Sequence, residues 1–126
     1  MNSITKLTGI AISAVFLFAG PVWAEGNAKL GKKVFNKCRA CHALKPGKKK
    51  LGPSLHGVIG RKAGSESYFK YSPAMKSSGI EWTEENLEKY LQAPKKFIPK
   101  NRMAFGGLKK KKDRKNIIAY IKSISK

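Results

Sequence analysis

A chain of 126 residues has room for one domain and excludes a multidomain assembly. Its 27 Lys and Arg against 7 Asp and Glu give a formal +20, which leaves the fold open but suits acidic protein surfaces, anionic lipid or nucleic acid as partners. The two cysteines lie close together, and in an exported chain their default reading is one structural disulfide.

The first 24 residues read as a signal peptide. Met1 to Lys6 is short and carries one positive charge, Leu7 to Gly20 is apolar, and Pro21-Val22-Trp23-Ala24 offers a turn and a small residue at the cleavage point. The competing reading is an uncleaved anchor, against which Gly9, Ser13, Gly20 and Pro21 interrupt the apolar run. Cleavage after Ala24 leaves a domain over residues 25–126, outside the cytoplasm and expected in the periplasm. Losing Lys6 lowers the formal charge only from +20 to +19.

Asn27 to Cys38 is expected to be a helix, with Leu30, Val34 and Phe35 toward one face and lysines largely elsewhere. Gly31 inside it costs helix stability and suggests a close backbone contact. Ala43 to Ser65 is rich in Gly, Pro and Lys and lacks periodicity, so it reads as a long ordered loop. A loop of that length needs something large to hold it, such as a bound cofactor. Ser72-Pro73 is an N-cap with proline at the first helical position, opening a short helix to about Ser77 that Gly79 ends. Thr83-Glu84-Glu85 starts another, with Leu87, Tyr90 and Leu91 on one face and a stop before Pro94. Pro94 to Gly107 reads as loop, and Asp113 to Ser125 as an amphipathic helix through Ile117, Ile118, Tyr120, Ile121 and Ile124. No segment alternates as a strand, so the fold class is all-α.

Cys38-Arg39-Ala40-Cys41-His42 carries the chemistry. Cysteines three apart on a helix end point their sulfurs the same way, and the adjacent imidazole follows. Each sulfur can add to one vinyl group of a haem, giving two thioethers and an imidazole delivered to the iron from the same side; this spacing reads as c-type haem attachment. A disulfide here would close a very small loop and gain little. A thioredoxin-like pair expects a βαβ context, and a zinc site would need a fourth ligand where only His56 remains.

Beyond this motif, Leu51-Gly52-Pro53-Ser54-Leu55-His56-Gly57, Gly60-Arg61-Lys62, Gly79-Ile80-Glu81-Trp82, Tyr90-Leu91 with Pro94-Lys95-Lys96, and Met103-Ala104-Phe105-Gly106-Gly107 follow in order. Together they resemble the class I c-type cytochromes of the mitochondrial and bacterial cytochrome c2 type, from about Gly31 through Lys122. The resemblance implies a small single-domain cytochrome c fold, with short helices and long loops around one covalent haem c. It implies Met103 as the axial ligand opposite His42, and a soft thioether there would stabilise ferrous iron. Met75, the rival in the mature chain, lies in an expected helix, where methionine ordinarily packs. The resemblance further implies that the Pro53 carbonyl accepts from His42, that Arg61, Tyr71 and Trp82 contact the haem propionates with Asn101 near them, and that Tyr90 lies beside the Met103 sulfur. It also places Gly31, Phe35 and Tyr120 where the first and last helices cross. Met75 stands where the family usually has an amide and Asn101 where it has a threonine; His56 matches a surface position.

Iron closed by His42 and Met103 has no position for substrate, which points to an electron carrier rather than an enzyme. The carrier would pass electrons between respiratory or dehydrogenase complexes and an oxidase or reductase. A peroxidase or gas-binding protein is the alternative if Met103 is displaced. Lys45, Lys48, Lys49, Lys50, Lys95, Lys96, Lys100, Arg102 and Lys109 to Lys112 are expected to surround the haem edge and dock acidic redox partners. Nucleic acid is not expected as a partner, because the aromatics do not interleave with the basic runs. A monomer without a permanent membrane span is the corresponding expectation.

Overall fold

The computed structural model describes residues 9–17 and 25–126. The rest of the expected leader, including its cleavage point, lies outside the described residues. Residues 9–17 have no regular secondary structure, and Ile10, Ile12, Val15, Phe16 and Leu17 are all exposed. No helix among the described residues is long and apolar enough to cross a membrane.

Among the described residues five α-helices follow in chain order: α1 (Ala28–Val34), α2 (Pro73–Lys76), α3 (Glu84–Gln92), α4 (Pro94–Phe97) and α5 (Lys111–Ile124). The caps expected at Ser72 and Thr83 form, accepting from Met75 N at 3.1 Å and Asn86 N at 3.0 Å. Asn27 caps α1 in the same way through Leu30 N. Among the described residues the only β pairing is an isolated bridge between Lys62 and Glu81.

Three boundaries differ from the sequence reading. The first helix gives way at Phe35–Lys37 to a 3-10 turn, which tightens the chain just before Cys38. The stretch from Pro94 to Gly107 contains α4, four residues opened by proline and too short to show a period. The last helix begins at Lys111, two residues before the expected Asp113, because Asp113 and Arg114 amides already bond to Lys110 O.

The core forms where α1 crosses α5 and α3 packs beside it. A Cβ on Gly31 would lie 1.9 Å from Asn116 O and 2.7 Å from Tyr120 Cβ, so only glycine lets the two helices approach this closely. The Phe35 and Tyr120 rings meet there at 5.8 Å, as the resemblance implied. Ile117, Ile118 and Ile121 of α5 are buried with Leu87 and Tyr90 of α3. Arg114 is buried too, but it is not alone: Glu88 accepts from Nε at 2.6 Å, and Leu108 O and Lys109 O from Nη1 at 2.7 and 2.8 Å. A buried charge is tolerable only with partners of this kind.

Candidate haem site

The turn after α1 shapes the first half of the site. Cys41 N and His42 N both donate to Cys38 O, at 3.0 and 2.9 Å, so the Cys-Arg-Ala-Cys-His segment continues as one hydrogen-bonded turn. Cys38 and Cys41 remain free thiols, so the disulfide reading fails. Burial pushes the Cys38 thiol up, and the neighbouring Cys41 adds to it. Among the described residues no cluster of three His, Cys, Asp or Glu is placed to hold a metal ion.

His42 is held from two sides. Its Nδ1 lies 2.7 Å from Pro53 O; a carbonyl can only accept, so Nδ1 carries the proton and Nε2 keeps a free lone pair. Burial lowers the His42 pKa, with Lys50 and Arg61 acting the same way and the Pro53 bond opposing them, which favours the neutral ring. Gly52 packs directly against the ring: a Cβ there would sit 2.4 Å from Cε1 and 2.7 Å from Nδ1. Gly52 N in turn donates to Cys41 O at 2.7 Å, and Ser54 Oγ donates to Lys45 O at 2.6 Å. The loop that lacked periodicity is therefore ordered by its own bonds around His42.

Arg61, Tyr71 and Trp82 gather on a second side. Arg61 Nη2 donates to Ser54 O at 3.1 Å and Nη1 to Glu66 Oε1 at 2.8 Å, while its Nε is buried with no partner. Trp82 N donates to Arg61 O at 2.9 Å, which joins the two strands of chain that carry them. Burial raises the Tyr71 pKa, and the nearby Arg61 partly offsets this.

Met103 lies on the loop between α4 and α5, half-buried against the core. Tyr90 Oη is 3.6 Å from its Sδ, the neighbour the resemblance implied, and the Trp82 ring packs at a tilt against Tyr90, 4.9 Å between centroids. Burial pushes the Tyr90 phenol up to about 12. Asn101 is almost fully buried, and the hydrogen bonds of its side chain go to Tyr90, Met103, Pro94 and Ile98, not to the Arg61 group. Met75 packs against the core from α2, and its sulfur has no hydrogen-bond donor among the described residues. Sequence reasoning missed Gly52 as the residue packed against His42 and Glu66 as the partner of Arg61; neither carries a local signal.

These residues fit a haem. Two unpaired thiols stand one turn apart beside a neutral imidazole with a free Nε2, and the orphaned Arg61 Nε is a buried donor that a propionate carboxylate would satisfy.

Comparison with known proteins agrees. A family model described as cytochrome c matches residues 28–125. Cytochrome c of Gibberella zeae is 50% identical over 105 residues, covering 82% of this chain and 99% of its own length. Cytochrome c2 of Rhodomicrobium vannielii is 40% identical over 111 residues, covering 87% and 89%. The solved structure of cytochrome cH from Methylobacterium extorquens superposes with a TM-score of 0.75 at 40% identity, over 78% of this chain and 99% of that one. With two free cysteines at haem-attachment spacing inside a cytochrome c fold, the chain belongs to the cytochrome c family and is an electron carrier with one covalent haem c.

Proposed function

We propose that this protein is an exported one-electron carrier in which His42 Nε2 and Met103 Sδ are the two axial ligands, and which serves acidic redox partners. The observation that carries the ligand assignment is the 2.7 Å bond from His42 Nδ1 to Pro53 O, which leaves Nε2 as the only lone pair of the ring. Tyr90 Oη, 3.6 Å from Met103 Sδ, supports the other half. The haem, when bound, supplies a one-electron couple. The chain's own residues then hold the imidazole neutral, keep a soft sulfur in place and offer Arg61, Tyr71 and Trp82 as donors to the propionates. Held by His42 and Met103, the iron would offer no open position to a substrate.

The partner surface follows from charge. Lys45, Lys48, Lys49, Lys50, Lys95, Lys96, Lys100, Arg102 and Lys109 to Lys112 are all exposed. Leu51, at 82% exposure, is the most exposed large apolar side chain of residues 25–126 and sits directly beside the Lys48–Lys50 run. A basic rim with an apolar point suits partners with carboxylates around a shallow recess, steered electrostatically and released quickly. Such partners include a dehydrogenase or respiratory complex on one side and an oxidase or reductase on the other. Export rests on the leader pattern of residues 1–24, and the family match beginning at residue 28 is consistent with it.

Replacing Met103 by Ala is the test. The wild-type ferric protein should show a thioether-to-iron charge-transfer band; Met103→Ala should abolish it, lower the reduction potential and let imidazole bind. A band that survives the substitution overturns the assignment. Electron-transfer rates with an acidic partner should fall steeply between low and physiological salt, and a flat response removes the basic rim.

A further inference from the structure

We propose that Asn101 is a positioning residue for Met103, a side-chain clamp that keeps the sulfur loop closed; this rests on Met103 being the axial ligand. Its burial and four hydrogen bonds carry it. Asn101 is 3% exposed, yet every polar atom of its side chain is used. Its Nδ2 donates to Pro94 O at 2.9 Å and to Ile98 O at 2.8 Å, gripping α4 and its end. Its Oδ1 accepts from Met103 N at 2.9 Å and, more weakly, from Tyr90 Oη at 3.5 Å. One amide therefore joins the helix before the loop, the backbone of the ligand residue and the phenol that approaches its sulfur.

The clamp works against local strain. Lys100, immediately before it, has φ of 64°, a left-handed conformation that residues with a Cβ avoid, and it is the only non-glycine residue with positive φ among those described. Lys95 Nζ adds a bond to Asn101 O. On the far side of Met103 the next firm anchor is Leu108 N to Leu91 O at 2.7 Å, with Gly107 pressed against Gln92 O. Between these anchors the one backbone bond within the loop is the short Phe105 N to Met103 O contact at 3.0 Å. Release of Asn101 would thus free the sulfur without unfolding the α1–α5 core. The threonine that the family resemblance implies at this position has one hydroxyl proton, so while accepting from Met103 N it could donate to only one of Pro94 O and Ile98 O, where the amide donates to both.

The experiment compares holoprotein variants Asn101→Ala and Asn101→Thr with wild type for ferric imidazole affinity, for the thioether-to-iron band and for denaturant midpoint. One net hydrogen bond shifts an equilibrium by roughly three- to tenfold. Imidazole should therefore bind about tenfold or more tightly to Asn101→Ala, and by an intermediate factor to Asn101→Thr. The order survives even if the alanine variant fails to hold haem, because the threonine variant alone must exceed wild type. Ile117→Val, a core change in α5 away from the loop, serves as control: it lowers the denaturant midpoint and should leave imidazole affinity unchanged. If the wild type shows the band but both Asn101 variants bind imidazole as wild type does, the clamp is wrong. An affinity that rises equally in Ile117→Val also overturns it, since the effect is then general destabilisation. A wild type without the band refutes the Met103 assignment instead.

Discussion

His42 and Met103 are both steadied by buried neighbours, but the chain reaches them by different routes. His42 directly follows Cys41 on a hydrogen-bonded turn, and its supports, Gly52 and Pro53, are tied back to that turn by Gly52 N to Cys41 O. Met103 hangs on a loop with firm bonds at Asn101 and Leu108, entered through a strained Lys100. One side is held by backbone and close packing, the other mainly by one side chain. Backbone bonds and steric contact within a short segment cost little loop entropy, whereas a loop held by a few distant contacts is the natural place for local opening.

The sharpest way to break this contrast is at Gly52. A methyl there would lie 2.4 Å from the His42 ring, so Gly52→Ala should displace the imidazole and destabilise the holoprotein by about 3 kcal/mol or more, seen in denaturation and in the fraction of chains that mature with haem. Normal maturation and an unshifted midpoint would show that the His42 side is softer than described. On the other side, Tyr90→Phe removes two long contacts, to Met103 Sδ and Asn101 Oδ1, and should cost no more than about 1 kcal/mol at neutral pH. Its pH dependence is more telling. Burial holds the Tyr90 phenol at about 12, above its value in the unfolded chain, so its contribution is complete below about pH 10 and lost as pH rises toward 12. The stability difference between wild type and Tyr90→Phe should be flat up to about pH 10 and shrink above it; a constant difference would mean the phenol is not sequestered. The smallest effect belongs to Lys100→Gly, which relieves the left-handed strain but adds freedom to the unfolded chain, for a net gain of about 0.5 kcal/mol. A loss would place the strain elsewhere.

Much of this was legible from residue order alone, because the signals are local. The α5 stripe of Ile117, Ile118 and Ile121, the caps at Ser72 and Thr83 and the Cys38–His42 spacing all act within one or two helical turns. Gly31 was readable too, as a helix-weakening residue in need of a contact, and Asn116 and Tyr120 supply it. Arg114 was not: it lies in a basic run that suggests solvent, and only the approach of Glu88 from α3 makes its burial tolerable. Nor was α4, whose four residues cannot display a period.

By itself the sequence determined an all-α chain and the kind of group it binds, since two thiols and an imidazole within five residues can address one haem whatever the rest of the fold does. The tertiary structure decided that the two cysteines form no disulfide with each other, that His42 carries its proton on Nδ1, and that Asn101 serves the Met103 loop and not the Arg61 group. Those outcomes depend on which distant carbonyl, ring or amide arrives within 3 Å. Chain closure over tens of residues sets that, and local propensity does not record it.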